Sequence, residues 1–221
     1  MESIRLHRGF TLVELMVVFA IITIIMAVVL TSQSSFNKTL MLANTAYDIA
    51  LTLRSIETYG IGSRAFGTTV NAGYGLHFES GTPGSFTLFA DTHPVPSVSS
   101  VCHPISDASA PNAQPGDCSY KPDYGERVAS YTLGNGMTVS DFCAYALSNW
   151  SCASANGGGL TALDIVFARP NPEPFMSVNG LYSTSNPVTA ACIAVTSPKG
   201  GAQYISVAAS GQINANAAQC P

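Results

Sequence analysis

The residues best placed to do chemistry stand at the start of the chain. Gly9-Phe10-Thr11-Leu12-Val13-Glu14-Leu15 follows a short stretch that carries Arg5, His7 and Arg8. An apolar run opens at Phe10 and extends to Leu30, and Glu14 is the one charge inside it. Insertion of a carboxylate at the centre of a membrane helix costs about 2.5–3.5 kcal/mol, less near an end, so an ionisable residue there reads as functional. Its desolvation is offset only by a partner of opposite charge. A secretory signal peptide would need a shorter apolar core and a small-x-small cleavage site. The run is instead long enough to span a bilayer, and Thr31-Ser32-Gln33-Ser34-Ser35 beyond it matches such a site poorly. An ordinary single-span anchor accounts for the length and the flanking basic residues. It does not account for Glu14 five residues after a Gly-Phe junction.

That combination of basic leader, Gly9-Phe10 junction, Glu14 and apolar run resembles the processing site of type IV prepilins and type II secretion pseudopilins. The resemblance implies cleavage after Gly9 and N-methylation of the new terminal Phe10, both by a membrane-embedded prepilin peptidase/methyltransferase. Glycine suits the scissile position because a backbone without a Cβ can closely approach catalytic groups. The same resemblance implies further partners: other pilins or pseudopilins packed through the N-terminal helix, an inner-membrane assembly platform, and membrane lipid. Arg5 and Arg8 place the N-terminus in the cytoplasm, with the rest of the chain periplasmic or extracellular. Glu14 is assigned an assembly register, pairing with the Phe10 amine of its own or a neighbouring chain. The proline that major pilins usually carry near mature position 22 is replaced here by Thr31, which favours a minor component. A major pilin of an adhesive fibre remains the alternative within the class.

The elements that position this motif follow from periodicity. Neither proline nor glycine occurs from Phe10 to Tyr59. Phe36, Leu40, Ala43, Tyr47, Ala50 and Leu51 recur at helical spacing, widened by Ile49, Leu53 and Ile56. The spacing predicts one helix, membrane-spanning over 10–31 and amphipathic over 32–62, with Tyr59-Gly60-Ile61-Gly62 as a left-handed cap. At 1.5 Å per residue it would be roughly 75 Å long, too long for one compact domain, and would need neighbouring helices.

Beyond Gly62 the period changes to two. Tyr74, Leu76 and Phe78, then 86–90 after Gly81-Thr82-Pro83-Gly84, predict a first hairpin. Residues 128–133 and 137–142 about Gly134-Asn135-Gly136 predict a second. Residues 192–196 and 204–208 about Pro198-Lys199-Gly200-Gly201 predict a third, and Ser210-Gly211 turns into Ile213. Residues 163–167 and 175–178 are single strand candidates. Residues 92–122, rich in Pro, Ser, Ala and Asp, read as an irregular surface insertion. Gly73-Tyr74-Gly75-Leu76-His77-Phe78, Leu163-Asp164-Ile165-Val166-Phe167 and the 204–213 segment resemble the strands of GspH/FimT-type minor pseudopilins. The fold class expected is α+β and pilin-like: a leader at 1–9, the long helix, and a β-rich, sandwich-like domain at 63–221.

Composition narrows the function. Of 221 residues only 10% are charged while 47% are hydrophobic, and the formal charge is -4. The leader, with Arg5, Arg8 and Glu2, is net positive, so the remainder is more acidic still. An acidic body argues against nucleic acid as a partner. Only Lys199 is basic after Arg169, which also argues against DNA uptake through the C-terminal region. Six cysteines, at 102, 118, 143, 152, 192 and 220, all follow the apolar run. An even count in an exported domain predicts disulfides, with 15 possible connectivities. Sequential pairing, Cys102–Cys118, Cys143–Cys152 and Cys192–Cys220, is expected because each pair would close a loop-rich segment or the C-terminal end. A loop closed by Cys102 and Cys118 also supports a reading of another class, a surface ligand-binding module.

No enzymatic constellation stands out, and no cofactor is expected. His77, His93 and His103 lack metal-ligand spacing. Gly157-Gly158-Gly159 is followed by neither Lys nor a helix, as a phosphate loop requires. There is no G-x-S-x-G. The acidic C-terminal calcium loop of major pseudopilins has no counterpart, since no Asp or Glu follows Glu173. Asn149-Trp150-Ser151 matches a glycosylation sequon by chance composition, and Trp150, the single tryptophan, reads as a packing residue.

Overall fold

The structure is a computed structural model that describes residues 11–62, 64–97, 102, 109, 113–154, 159–170 and 172–220, without the side chains of 31–38. Two compact units are distinguished, Met1–Met41 and Leu42–Pro221. The first contains the start of helix α1 (Leu12–Ile61). Its segment Leu12–Leu30 has a mean hydropathy of 2.9 and no buried residue. Among the described residues it is the one helix long and apolar enough to cross a membrane.

The second unit begins inside α1 and continues, among the described residues, through ten strands: β1 (Gly73–Glu79), β2 (Ser85–Asp91), β3 (Arg127–Thr132), β4 (Thr138–Ala146), β5 (Asn149–Cys152), β6 (Ala162–Phe167), β7 (Phe175–Val178), β8 (Ala190–Thr196), β9 (Ala202–Ala208) and β10 (Ile213–Asn214). They form two antiparallel sheets, sheet I in the order β3-β2-β1-β6-β7 and sheet II in the order β10-β9-β8-β4-β5. Alternation divides each strand between two faces. Tyr74, Leu76, Phe78, Leu88, Ile165, Phe167 and Met176 from sheet I share one core with Phe142, Ile193, Val195, Ile205 and Val207 from sheet II. The architecture is α+β with an N-terminal apolar helix and two sheets, which fits a pilin-like fold.

Four expectations change. The first concerns the helix face: Leu42, Ala46, Ile49, Ala50, Leu53 and Ile56 enter the core, whereas Leu40, Tyr47 and Leu51 are exposed. The side chain of Phe36 lies outside the described residues. Each fully buried Ile or Leu contributes about 1.5–3 kcal/mol, so Ile49, Leu53 and Ile56 fix the rotation of this part of α1. The second concerns the cap. Gly60 is buried inside α1, and neither Gly60 nor Gly62 takes a positive φ. Gly60 is needed for proximity, since a Cβ there would collide with the Phe167 carbonyl of β6. The third is the hairpin about Gly134-Asn135-Gly136. β3 and β4 lie in different sheets, joined by a 3-10 turn, Gly134–Gly136, with Asn135 and Gly136 at positive φ. Left-handed residues mark a reversal without saying whether the strands on either side pair.

The fourth is the segment 92–122. Its described part is irregular, with Val95 and Ser109 exposed, but 113–116 and 118–119 pack on the outer face of sheet I rather than standing at the surface. Ala113, Gln114, Pro115, Gly116, Cys118 and Ser119 are buried. Cys102 and Cys118 join Phe89 and Val166 in a second small core, flanked by Tyr120 and Phe175. The outer face of sheet II is covered likewise by the C-terminal residues: Ala217 N–H donates to the Tyr204 carbonyl at 3.0 Å, and Cys220 packs with Cys143, Cys152 and Cys192.

One hairpin has no sequence signal. β4 and β5 are joined by Leu147 and Ser148, with φ of 52° and 62°. Such turns favour Asn and Gly, and nothing in Ala-Leu-Ser-Asn announces one.

Candidate functional site

The N-terminal motif is described from Thr11 onward; Gly9 and Phe10, the junction itself, lie outside the described residues, as do Arg5 and Arg8. Thr11 precedes the helix and Glu14 lies in its first turn. The Glu14 backbone N–H donates to Thr11 Oγ1 at 3.2 Å, and the Thr11 backbone N–H donates to Glu14 Oε2 at 3.2 Å. This reciprocal pair is a capping box, which satisfies backbone donors that the helix leaves open. The Thr11 hydroxyl also donates to Glu14 Oε2 at 3.2 Å. The Thr-x-x-Glu spacing that encodes it was readable in the sequence beside the Gly-Phe junction. Further along, the Thr23 hydroxyl bonds to the Phe19 and Ala20 carbonyls at 3.0 and 2.9 Å, so it adds no unsatisfied donor to the apolar run.

In the second unit the cysteines are joined as Cys102–Cys118, Cys143–Cys152 and Cys192–Cys220, with Cα separations of 5.8, 4.0 and 5.7 Å. Among the described residues two groups resemble metal sites by proximity, Asp91 with Cys102 and Cys118, and Asp141 with Cys143 and Cys152. Their sulfurs are committed to disulfides, which leaves one carboxylate in each and no ligand set for zinc.

Among the described residues the histidines and hydroxyls form no nucleophile–base pair. His77 Nδ1 lies 2.7 Å from Asp164 Oδ1, and Ser177 Oγ donates to Asp164 Oδ2 at 3.3 Å and to the Cys118 carbonyl at 2.6 Å. Serine and histidine thus meet the same carboxylate rather than each other, and Ser177 is buried. These residues belong to a polar row, Ser130-Thr87-His77-Asp164-Ser177, that crosses all five strands of sheet I in register. The Tyr120 ring packs tilted on His77 at 4.8 Å between centroids, so the row serves as the seat of the covering segment. His93 stacks on Tyr124; His103 lies outside the described residues, as do Gly157 and Gly158. Trp150 packs against Tyr145 at 5.2 Å between centroids, while Glu173 and Lys199 are exposed.

Sequence reasoning missed two buried carboxylates. Asp91 accepts the Asp117 and Cys118 N–H groups at 3.1 and 2.8 Å. Glu126 accepts those of Thr92 and His93, both at 2.9 Å, and of Lys121 at 2.8 Å. Together they clasp both ends of the covering segment. Gly116, at φ 107°, lies against the Asp91 carboxylate, where a Cβ would collide. Burial pushes Asp91 well above its ordinary range despite these donors, and burial, reinforced by Asp91, pushes Glu126 to about 7. A carboxyl whose folded pKa is raised binds its proton more tightly folded than unfolded. Stability therefore falls as pH rises from about 4.5 through 7. The full chain in detergent is expected to melt a few degrees lower at pH 8 than at pH 5. Glu126→Gln should remove much of that difference in a thermal scan, and a melting point that climbs over the same interval would contradict the assignment.

Residues 4–30 match the protein family described as prokaryotic N-terminal methylation motif. No curated protein and no solved structure matches the chain. The motif supports a prepilin-like protein, a structural subunit rather than an enzyme. It implies processing by prepilin peptidase and assembly with other pilins. With the apolar helix it supports membrane anchoring before assembly.

Proposed function

We propose that the chain is a non-enzymatic, minor subunit of a type IV pilus or type II secretion pseudopilus, of the GspH/FimT kind. It is cut after Gly9, methylated on Phe10, and held in register by Glu14. The observation that carries this reading is the methylation motif at 4–30, coinciding with an unburied apolar helix that carries a single carboxylate in its first turn. Before assembly Leu12–Leu30 lies in the inner membrane, with the β-rich unit on the periplasmic side. The assembly platform and lipid act on that helix. The exposed Tyr47 and Leu51 support further helix contacts in the fibre, since they lie on α1 away from the core. A minor place is supported by Thr31, where a major pilin usually has proline.

The second reading keeps the loop closed by Cys102 and Cys118 as a ligand-binding surface; of its described residues, 113–116 and 118 are buried and Ser109 is exposed. The decisive experiment is the intact mass of the membrane-extracted protein from cells with and without prepilin peptidase. A chain beginning at N-methyl-Phe10 only when the peptidase is present supports the proposal. A retained Met1 in both would overturn it.

A further inference from the structure

Sheet II carries a row of its own. Cys152, Cys143, Cys192, Ser206 and Asn214 stand in register across β5, β4, β8, β9 and β10. Cys143 therefore has a cysteine opposite it on both sides, although it can bond to only one. The two rungs differ. Ala153 N–H donates to the Phe142 carbonyl at 2.9 Å, so Phe142 turns its backbone polar groups toward the β5 side. Cys143, next along, turns its own toward β8. Cys143–Cys152 is then a non-hydrogen-bonded pair and Cys143–Cys192 a hydrogen-bonded one, with Cα separations near 4.5 and 5.5 Å in such ladders. Bridged cysteines usually stand about 4.4–6.8 Å apart between Cα atoms and about 3.5–4.5 Å between Cβ atoms. The second rung falls in that range by its Cα atoms, and its Cβ atoms, near 5.5 Å in such ladders, must close by about 1 Å for the bond to form.

Access to these sulfurs is graded. Cys143 is fully buried, Cys192 and Cys152 nearly so, and Cys220, near the end of the covering tail, is half-buried. An external thiolate thus meets Cys220 first.

We propose that Cys143 is a thiol–disulfide exchange centre through which the bridge can pass from β5 to β8, releasing the C-terminal tail. A small thiolate attacks Cys220 Sγ and forms a mixed disulfide there; the Cys192–Cys220 bond breaks and Cys192 leaves as thiolate. Cys192 then attacks Cys143 Sγ. The Cys143–Cys192 bond forms, the Cys143–Cys152 bond breaks, and Cys152 leaves as thiolate and takes a proton from water. The second step is an exchange without net oxidation, and the external thiol is the only co-reactant. Asp141 sits beside the Cys143 and Cys152 sulfurs, and its negative charge opposes a thiolate on Cys152. Re-closure to the resting pairing is thereby favoured once the external thiol is removed. The exchange uncovers the face of sheet II at Tyr204.

The test uses the full chain in detergent, treated at pH 8 with less than one equivalent of glutathione, alkylated, and mapped by mass spectrometry. The expected products are glutathione on Cys220, an alkyl group on Cys152, and a cross-linked Cys143–Cys192 peptide. Alkylated Cys192 beside an intact Cys143–Cys152 bond would overturn the proposal, as would first opening at Cys143–Cys152. A second variant, Cys152→Ala with Cys220→Ala, leaves Cys143 and Cys192 facing each other. Oxidation should close that pair. Two free thiols there, in protein whose Cys102–Cys118 bond shows that the domain folded, would also refute the idea.

Discussion

Glu14→Gln should leave cleavage after Gly9 intact and reduce incorporation into filaments about tenfold or more. Glutamine is the informative replacement because the structure gives Glu14 a second role. Its carboxylate closes a capping box with Thr11, and glutamine serves that box as well as glutamate does. Glu14→Ala removes the charge and the glutamate half of the box, the bond from the Thr11 N–H, and leaves Thr11 Oγ1 on the residue 14 N–H. If Glu14 acts as an electrostatic register for a neighbouring Phe10 amine, both variants fail to assemble. If it acts only as a cap, alanine impairs assembly and glutamine does not. The readout is processed protein in the membrane against protein in sheared filaments. Normal assembly of the glutamine variant would sink the register.

Gly60→Ala is the second large effect, and here helix propensity and packing predict opposite signs. Inside a helix, replacing glycine by alanine should stabilise by about 1 kcal/mol. The new methyl group, however, would strike the Phe167 carbonyl in β6, a backbone atom that cannot swing aside. Overpacking of this kind costs about 1–3 kcal/mol, occasionally more, so a net loss of stability is expected. Gly81→Ala, with nothing within 4 Å of the added Cβ, should be neutral to about 0.5 kcal/mol. Denaturant midpoints of the two variants compare the effects directly. A stabilised Gly60→Ala protein would show that α1 does not end against β6.

The chain reports some of this architecture plainly and hides the rest for identifiable reasons. β1, β2 and β9 were legible from alternating apolar residues between glycine or proline turns, and β6 and β8 from short apolar runs that read as buried strands. The helix was legible from its length without glycine or proline, but its buried face was not. Leu40, Tyr47 and Leu51 are as apolar as Leu42, Ile49 and Leu53, so hydropathy alone does not decide which set turns inward. The pairing of β3 was misread because Asn135 and Gly136 have the backbone freedom of a hairpin and are used to change sheets. β5 was missed because Leu147 and Ser148 adopt a conformation that their types disfavour. At the candidate site, the Gly-Phe junction, Glu14 and the apolar run were all evident. Asp91 and Glu126 were not, because what makes them distinctive is burial under a segment whose composition reads as exposed loop.

The connection from α1 into sheet I has a mechanical consequence. The chain leaves the helix at Ile61 and enters β1, the central strand of its sheet, flanked on one side by β2 and on the other by β6. A pull along the helix meets the core packing of Leu42–Ile56 first, and what passes on along the chain through 62–72 reaches the strand with the most lateral support. It loads two ladders at once, along five registered pairs with β2 and six with β6. The bonds in those ladders run perpendicular to the strand, so tension along β1 must shear them together rather than open them singly, as it would at an edge. The edge strand β10, by contrast, lies toward the far end of the chain, away from that load.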